Sequence, residues 1–312
     1  MADTRREFLT KLAVGAGGIG LGLSAQGGIW SQLAGDDGIA HAAPPKGESV
    51  WAEGKDPYKT TVAAIKKLGG MDRFVKQGQR VALLPNVGWN RTPEQAACTH
   101  PEVLRAVIDL VAAEDAKSIT VFCNPCNPIR ACLENSGIGA MVDKSPARFE
   151  VINSQGWRLR KAVKGCTFMK EAQVYRLVDD CDVLINVPVA KHHGGAQLTM
   201  CCKNLMGLVK DRGVMHQKLH AAIADLTMMV PHALCVLDAS RILTAHGPSG
   251  GNLKDVKKTD TIVAGTHPGE VDVLGCGLFG NKPGDIGYLR MLGERNFVNL
   301  DPAKLDVDYI KA

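Results

Sequence analysis

Five short apolar runs, separated by stretches of helical spacing, do most to limit what this chain can fold into. They span residues 80–87, 118–122, 182–187, 234–239 and 261–265. Each is too short for a core helix and rich in Val, Ile and Leu, as strands buried on both faces are. Between them, residues 101–113 place apolar side chains at helical spacing, with Thr99 as the expected cap and Pro101 in the first turn. Residues 218–229 and 268–279 read the same way. The alternation predicts an α/β fold, a mostly parallel sheet with helices on both faces. With 45% hydrophobic and 22% charged residues, the chain has the balance of a folded protein and not of a disordered one. No repeat and no glycine-rich phosphate fingerprint interrupts the pattern.

The front of the chain is different. Arg5-Arg6 followed by Phe8-Leu9, an uncharged glycine-studded stretch from Leu12 to Gly35, and Ala40-His41-Ala42 as a small-x-small cleavage site together read as a twin-arginine signal peptide over residues 1–42. An uncleaved anchor is the alternative, disfavoured by the glycines and the cleavage site. The expected organisation is therefore a signal peptide, an exposed arm over 43–58, and a single α/β domain over 59–312, with division into two lobes left open. After cleavage about 270 residues remain, enough for a sizeable core. The expected address is the periplasm, reached through the twin-arginine translocase, without stable membrane insertion afterwards.

The formal net charge of +5 permits small anionic ligands without pointing to nucleic acid, and 5% aromatic residues weaken any base-stacking role. Chemistry-bearing residues fall in two places. Cys123, Cys126 and Cys132 lie within ten residues on a segment that follows the strand at 118–122, and Asn-Pro pairs turn the chain after each of the first two. The carboxyl end of a strand is where open α/β sheets usually place ligands. Such thiols can hold an iron–sulfur cluster or a divalent metal, form a structural disulfide, cycle as a dithiol, or remain inert. A fourth ligand would come from Cys98, Cys166, Cys201 or Cys202. Cys181, Cys235 and Cys276 sit in apolar surroundings and read as small core residues.

The second place is basic. Lys191, His192, His193, Lys203, Asn204, Lys210, Arg212, His216 and His220 crowd the segment after the strand that ends at Pro188. Two lysines and an imidazole converging there would bind a carboxylate or phosphate, and Asn204 would add directional hydrogen bonds. Lysine neighbours would keep His193 neutral, free to act as a base or to bind metal. A helix over 199–208 would carry Lys203 and Asn204 to the same crevice. His216 and His220, four apart, would share a helix face suited to a metal, and Asp238 and Asp272 would either complete a cation site or cap helices. The bland alternative is a solvated basic loop. Gly247-Pro248-Ser249-Gly250-Gly251-Asn252 reads as a surface loop or a lid.

Several segments also resemble a known family. Leu84-Pro85-Asn86, then Cys98 to Ala106, then Lys191-His192-His193 followed by Lys203-Asn204 and Gly207, with Asp238, Gly247-Pro248 and Asp272 later, are similar to the bacterial and archaeal family catalogued as domain of unknown function 362. The resemblance spans roughly residues 81–292. Its Lys-x-His…Lys-Asn-x-x-Gly core is specific, and the resemblance tilts that segment towards an anion or metal site. Family members often carry or travel with ferredoxin-like iron–sulfur modules. This chain lacks the cysteine run of such a module, and its Cys123-Asn-Pro-Cys126 turn replaces a Gly/Asp/Ser turn usual in relatives. The leading expectation is a periplasmic redox or metal-binding enzyme or electron-transfer component. The alternatives are a non-redox enzyme acting on a small anionic substrate through Lys191, His193, Lys203 and Asn204, and a cofactor-free assembly factor for a redox partner.

Overall fold

A computed structural model describes residues 47–312. The expected signal peptide, residues 1–42, and the first residues of the expected arm lie outside them. The five expected strands are all present as β2 (Arg80–Pro85), β3 (Ser118–Cys123), β7 (Val183–Val187), β10 (Leu234–Leu243) and β11 (Val256–Gly265). They share one sheet with β1 (Glu48–Glu53), β4 (Arg148–Val151) and β12 (Asp306–Lys311), in the order β12-β1-β11-β10-β7-β2-β3-β4. From β10 to β4 every neighbour is parallel, while β11 runs antiparallel to both β10 and β1. A two-stranded hairpin, β5 (Trp157–Lys161) with β6 (Glu171–Tyr175), stands apart.

Side-chain alternation along the strands divides the apolar residues into two cores. On β2, Val81 and Leu83 face one core, where the helices Pro57–Lys67, Pro101–Ala113 and Ile129–Ser136 pack. Ala82 and Leu84 face the other, covered by Leu219–Met229, Pro268–Cys276 and Gly287–Glu294. The fold is α/β, mostly parallel, with helices on both faces. Successive Cβ atoms of a strand point to opposite sides, so runs with no polar alternation need both sides covered.

Three expectations need correction. Residues 48–53 are not part of an exposed arm. They form β1, hydrogen-bonded on both edges, with Val50, Trp51 and Ala52 buried. The helix at Pro101 is capped by His100, whose Nδ1 accepts from Glu102 N at 3.0 Å. Thr99 is occupied elsewhere, donating to Val187 O at 2.7 Å and accepting from Asn86 N at 2.8 Å. The helix expected over 199–208 is a single turn, Cys201–Asn204, continued as the 3-10 turn Leu205–Leu208.

Candidate functional site

The sheet reverses direction of growth beside β2. The chain passes from β2 outward to β3 and β4, then returns to place β7 on the other side of β2. Connections leave the carboxyl ends of β2 and β7 in opposite directions, and the crevice between them is where α/β folds bind ligands. A cleft of about 280 Å³ opens there, walled by Asn86, Gly88 and Trp89 after β2, Cys123, Asn124 and Cys126 after β3, and Lys191, His193, Thr199, Lys203, Asn204, Arg212 and His216.

Pro188 ends β7 but does not send the chain into a loop. Residues Val189–His193 form β8, which pairs with β10 and with β9 (Gln197–Thr199). Lys191 and His193, two residues apart, therefore lie on one face of a strand and both line the cleft. Lys191 is 1% exposed. Its Nζ donates to Asn86 Oδ1 at 2.9 Å and to Ala97 O at 2.5 Å, which leaves one N–H for the cleft. Burial pushes this ammonium down to about 8, and burial beside Lys191 does the same to Lys203. The Lys203 ammonium makes no hydrogen bond or ion pair with the described residues, so its charge is available.

Asn204 has a different role from the one expected. Its Nδ2 donates to Leu84 O at 3.1 Å and to Asn186 Oδ1 at 2.9 Å, and its Oδ1 accepts from Asn86 Nδ2 at 2.8 Å. Asn186 continues the chain of amides to Cys201 O at 2.9 Å. Asn204's donors are both used, so it positions Asn86, and through Asn86 the Lys191 ammonium, without offering a donor to a ligand.

The two imidazoles of the cleft carry their protons on different nitrogens. His193 Nδ1 accepts from Gly195 N at 3.1 Å and Ala196 N at 3.0 Å, so the neutral ring holds its proton on Nε2. Burial and the nearby Lys203 and Lys191 charges hold its pKa down to about 3. His193 is thus a neutral donor. Serving as a base or metal ligand through Nε2 would break both amide contacts. His216 is the reverse: its Nδ1 lies 2.7 Å from Arg212 O, a group that can only accept, which leaves Nε2 as an open proton acceptor. Arg212 donates to Asn124 O at 2.9 Å and Pro125 O at 3.3 Å, which fixes the thiol turn against the cleft.

The other proposed metal ligands do not join this site. His216 and His220 sit on separate helices, Arg212–Gln217 and Leu219–Met229, because Lys218 breaks the run at φ −140° and ψ 66°. The His220 ring stacks on Tyr288 instead. Asp238 accepts from His100 N at 2.7 Å and from Ser240 N at 3.0 Å. Asp272 lies within the helix Pro268–Cys276 and accepts from Cys201 N at 2.6 Å, Cys202 N at 3.0 Å and Tyr288 Oη at 3.2 Å. Both carboxylates secure backbone turns.

The thiols are also dispersed by environment. All ten cysteines are free. Cys123 and Cys132 pack into the core beneath the helix Pro101–Ala113, and burial drives both thiols upward, Cys132 to about 11. Cys126 is exposed, and Arg212 Nη1 lies 3.6 Å from its sulfur. Among the described residues no three His, Cys, Asp or Glu side chains are placed to hold a metal ion together, so this donor set does not fit a cluster or a metal. The glycine loop is not free either: Gly194 N donates to Gly247 O at 3.2 Å, and Gln95 Nε2 to Gly251 O at 2.8 Å.

Sequence reading missed Asn86 and Thr199 as parts of the site. Thr199 is 3% exposed, lines the cleft, and its hydroxyl has no hydrogen-bond partner among the described residues. A buried hydroxyl in that state is costly unless a ligand completes it.

The family model described as domain of unknown function DUF362 matches residues 81–277, which include every residue of this cleft. The chain belongs to that family. Over 201 residues the chain is 27% identical to a thylakoid-associated protein of Synechocystis sp., covering 62% of this chain and 61% of that protein. The chain thus spans about three fifths of that relative's length. Among solved structures, the lactate racemase apoprotein of Thermoanaerobacterium thermosaccharolyticum aligns at TM-score 0.48 and 10% identity, over 76% of this chain and 57% of that one. A protein of Thermotoga maritima aligns at TM-score 0.41 and 12% identity, over 59% and 51%. Among the described residues no helix is long and apolar enough to cross a membrane.

Proposed function

We propose that this DUF362 chain binds and acts on a small carboxylate- or phosphate-bearing substrate in the cleft at the β2–β7 switch point. The observation that carries the reading is the charge of the walls. Lys191, Lys203 and Arg212 line a cleft with no aspartate or glutamate in its lining. Desolvated ammonium groups without counter-ions are unfavourable until an anion arrives, and that cost becomes binding selectivity. Thr199 supplies a waiting hydroxyl, His193 a neutral N–H donor and His216 a proton acceptor, which is equipment for moving a proton on the bound anion.

Isothermal titration and thermal shift with malonate and inorganic phosphate test this. Lys203→Ala removes a charged partner without disturbing a buried network, so affinity should fall roughly tenfold to a hundredfold, from about 1.5–3 kcal/mol. Lys191→Met should weaken binding at least as much. Equal affinity in wild type and both variants, or no binding of either anion, overturns the reading.

A redox or metal role for Cys123, Cys126 and Cys132 gains no support from their placement. Export we retain as a separate proposal, resting on Arg5-Arg6 and Ala40-His41-Ala42. Mass spectrometry of the exported protein should give a mature N-terminus near Ala43, and Arg5→Lys with Arg6→Lys should leave the chain inside. Full export of that double variant would refute it.

A further inference from the structure

We propose that Cys126 is a nucleophilic thiol of this cleft, placed to bond with an electrophilic carbon on the small carboxylate or phosphate held by Lys191, Lys203 and Arg212. The inference rests on the anion reading and adds a reacting atom to it.

Cys126 differs from the cysteines around it. Cys98, Cys123 and Cys132 are buried, and burial raises each of their thiols, which favours the inert protonated form. Cys126 alone of the four is exposed, and it lines the cleft. Its position is rigid. The Cys126 amide donates to Gly88 O at 2.8 Å, and the following residue, Asn127, accepts from Asn90 N at 3.0 Å through its side chain. On the opposite side one guanidinium spans the turn, with Arg212 bonding Asn124 O and Pro125 O and reaching the sulfur at 3.6 Å.

The charges around that sulfur have one sign. Lys191, Lys203 and Arg212 line the same walls as Cys126, and no carboxylate lines those walls to oppose them. A thiolate among fixed cations is the attacking form of cysteine, and the same cations attract an anionic electrophile. The ligand is called for independently by Thr199, whose buried hydroxyl on the cleft wall lacks a partner. The simplest version of the step is a displacement. The sulfur pair forms a new S–C bond, the leaving group departs with its bonding pair, and the thiol proton has already passed to solvent or to His216 Nε2.

Iodoacetate is such an electrophilic carboxylate, and iodoacetamide is its neutral counterpart. Ordinary exposed thiols react more readily with the neutral reagent. With limiting reagent and peptide mass spectrometry on the full chain, Cys126 should prefer iodoacetate about tenfold or more relative to a free thiol peptide. Malonate should protect it. Arg212→Gln and Lys203→Ala should each return the preference towards that of the free peptide. A free-peptide ratio at Cys126, or alkylation unaffected by saturating malonate, overturns the proposal. Malonate that stabilises the protein in thermal shift while Cys126 shows no anionic preference removes the nucleophile and keeps the anion cleft. Malonate that neither stabilises nor protects removes the anion reading, and this inference with it.

Discussion

Lys191 and Lys203 show what a buried cation does to a site at the scale of single residues. Both ammonium groups are held near 8, below the ordinary lysine range, chiefly because water has been removed from around them. The folded pKa is depressed, so the charged form, which an anion needs, is present at neutral pH and is lost as pH rises through about 8. Malonate carries no proton that titrates in that window, so its affinity should hold from pH 6.5 to 7.5 and fall by pH 9. Ordinary surface lysines would carry it past pH 10. A flat affinity profile to pH 10 would contradict that desolvation. Asn204 offers the opposite case. Asn204→Ala strands Asn86 Nδ2 and Asn186 Oδ1 in the interior and should cost about 1–3 kcal/mol in urea unfolding. Lys203→Ala, which strands nothing, should cost under about 0.5 kcal/mol. Similar costs for the two would mean that the amide chain does not hold Lys191. Sequence made Lys191, His193 and Lys203 visible because they follow a strand that stops at a proline. It could not show Asn86, more than a hundred positions from Lys191, because only the order of strands brings β2 beside β7.

Elements explain which parts of the architecture were legible. Runs such as residues 182–187 announce themselves, since a strand covered on both faces has no polar alternation to dilute it. β1 has the same character, with four buried residues in sequence, yet it is short and flanked by Pro44-Pro45-Lys46 on one side and Lys55-Asp56-Pro57 on the other. Those flanks suggest an arm. What makes it a strand is tertiary: β11 and β12 supply both its hydrogen-bonding edges. The helix pair around Lys218 failed for a related reason, because residue spacing alone cannot reveal a break in backbone angles. β1 therefore bears weight that its composition hides. Trp51, 4% exposed and tilted against Tyr309 at 6.3 Å, should cost about 3–5 kcal/mol when replaced by Ala. β12 reaches the sheet only through β1, so the same variant should release residues 306–311 to carboxypeptidase at a denaturant concentration that leaves wild type intact. Resistance equal to wild type would show that β12 is anchored independently.

Across the whole molecule the buried titratable groups set an acid profile. His267 caps the helix Pro268–Cys276 through Nδ1, and burial holds its pKa down to about 4, as burial and the lysines hold His193 at about 3. In the unfolded chain both return to about 6.5. Between pH 6.5 and 4 the unfolded state takes up protons that the native state refuses, so stability falls on acidification. Asp272 acts in the other direction. Burial raises it to about 7, above its unfolded value, so the native state binds this proton first and gains stability as pH falls through the same window. The opposing terms make single-site differences more informative than the overall curve. His267→Asn keeps a capping acceptor and removes the titration. Its stability relative to wild type should improve on acidification, with the slopes differing by up to about 1.4 kcal/mol per pH unit near pH 5. Asp272→Asn removes the compensating term, so its decline from pH 7 to pH 4 should be steeper than that of wild type. Urea midpoints at half-unit intervals, with unchanged m-values, would read both effects. Curves for the two variants that run parallel to wild type would show that neither group titrates differently in the folded protein.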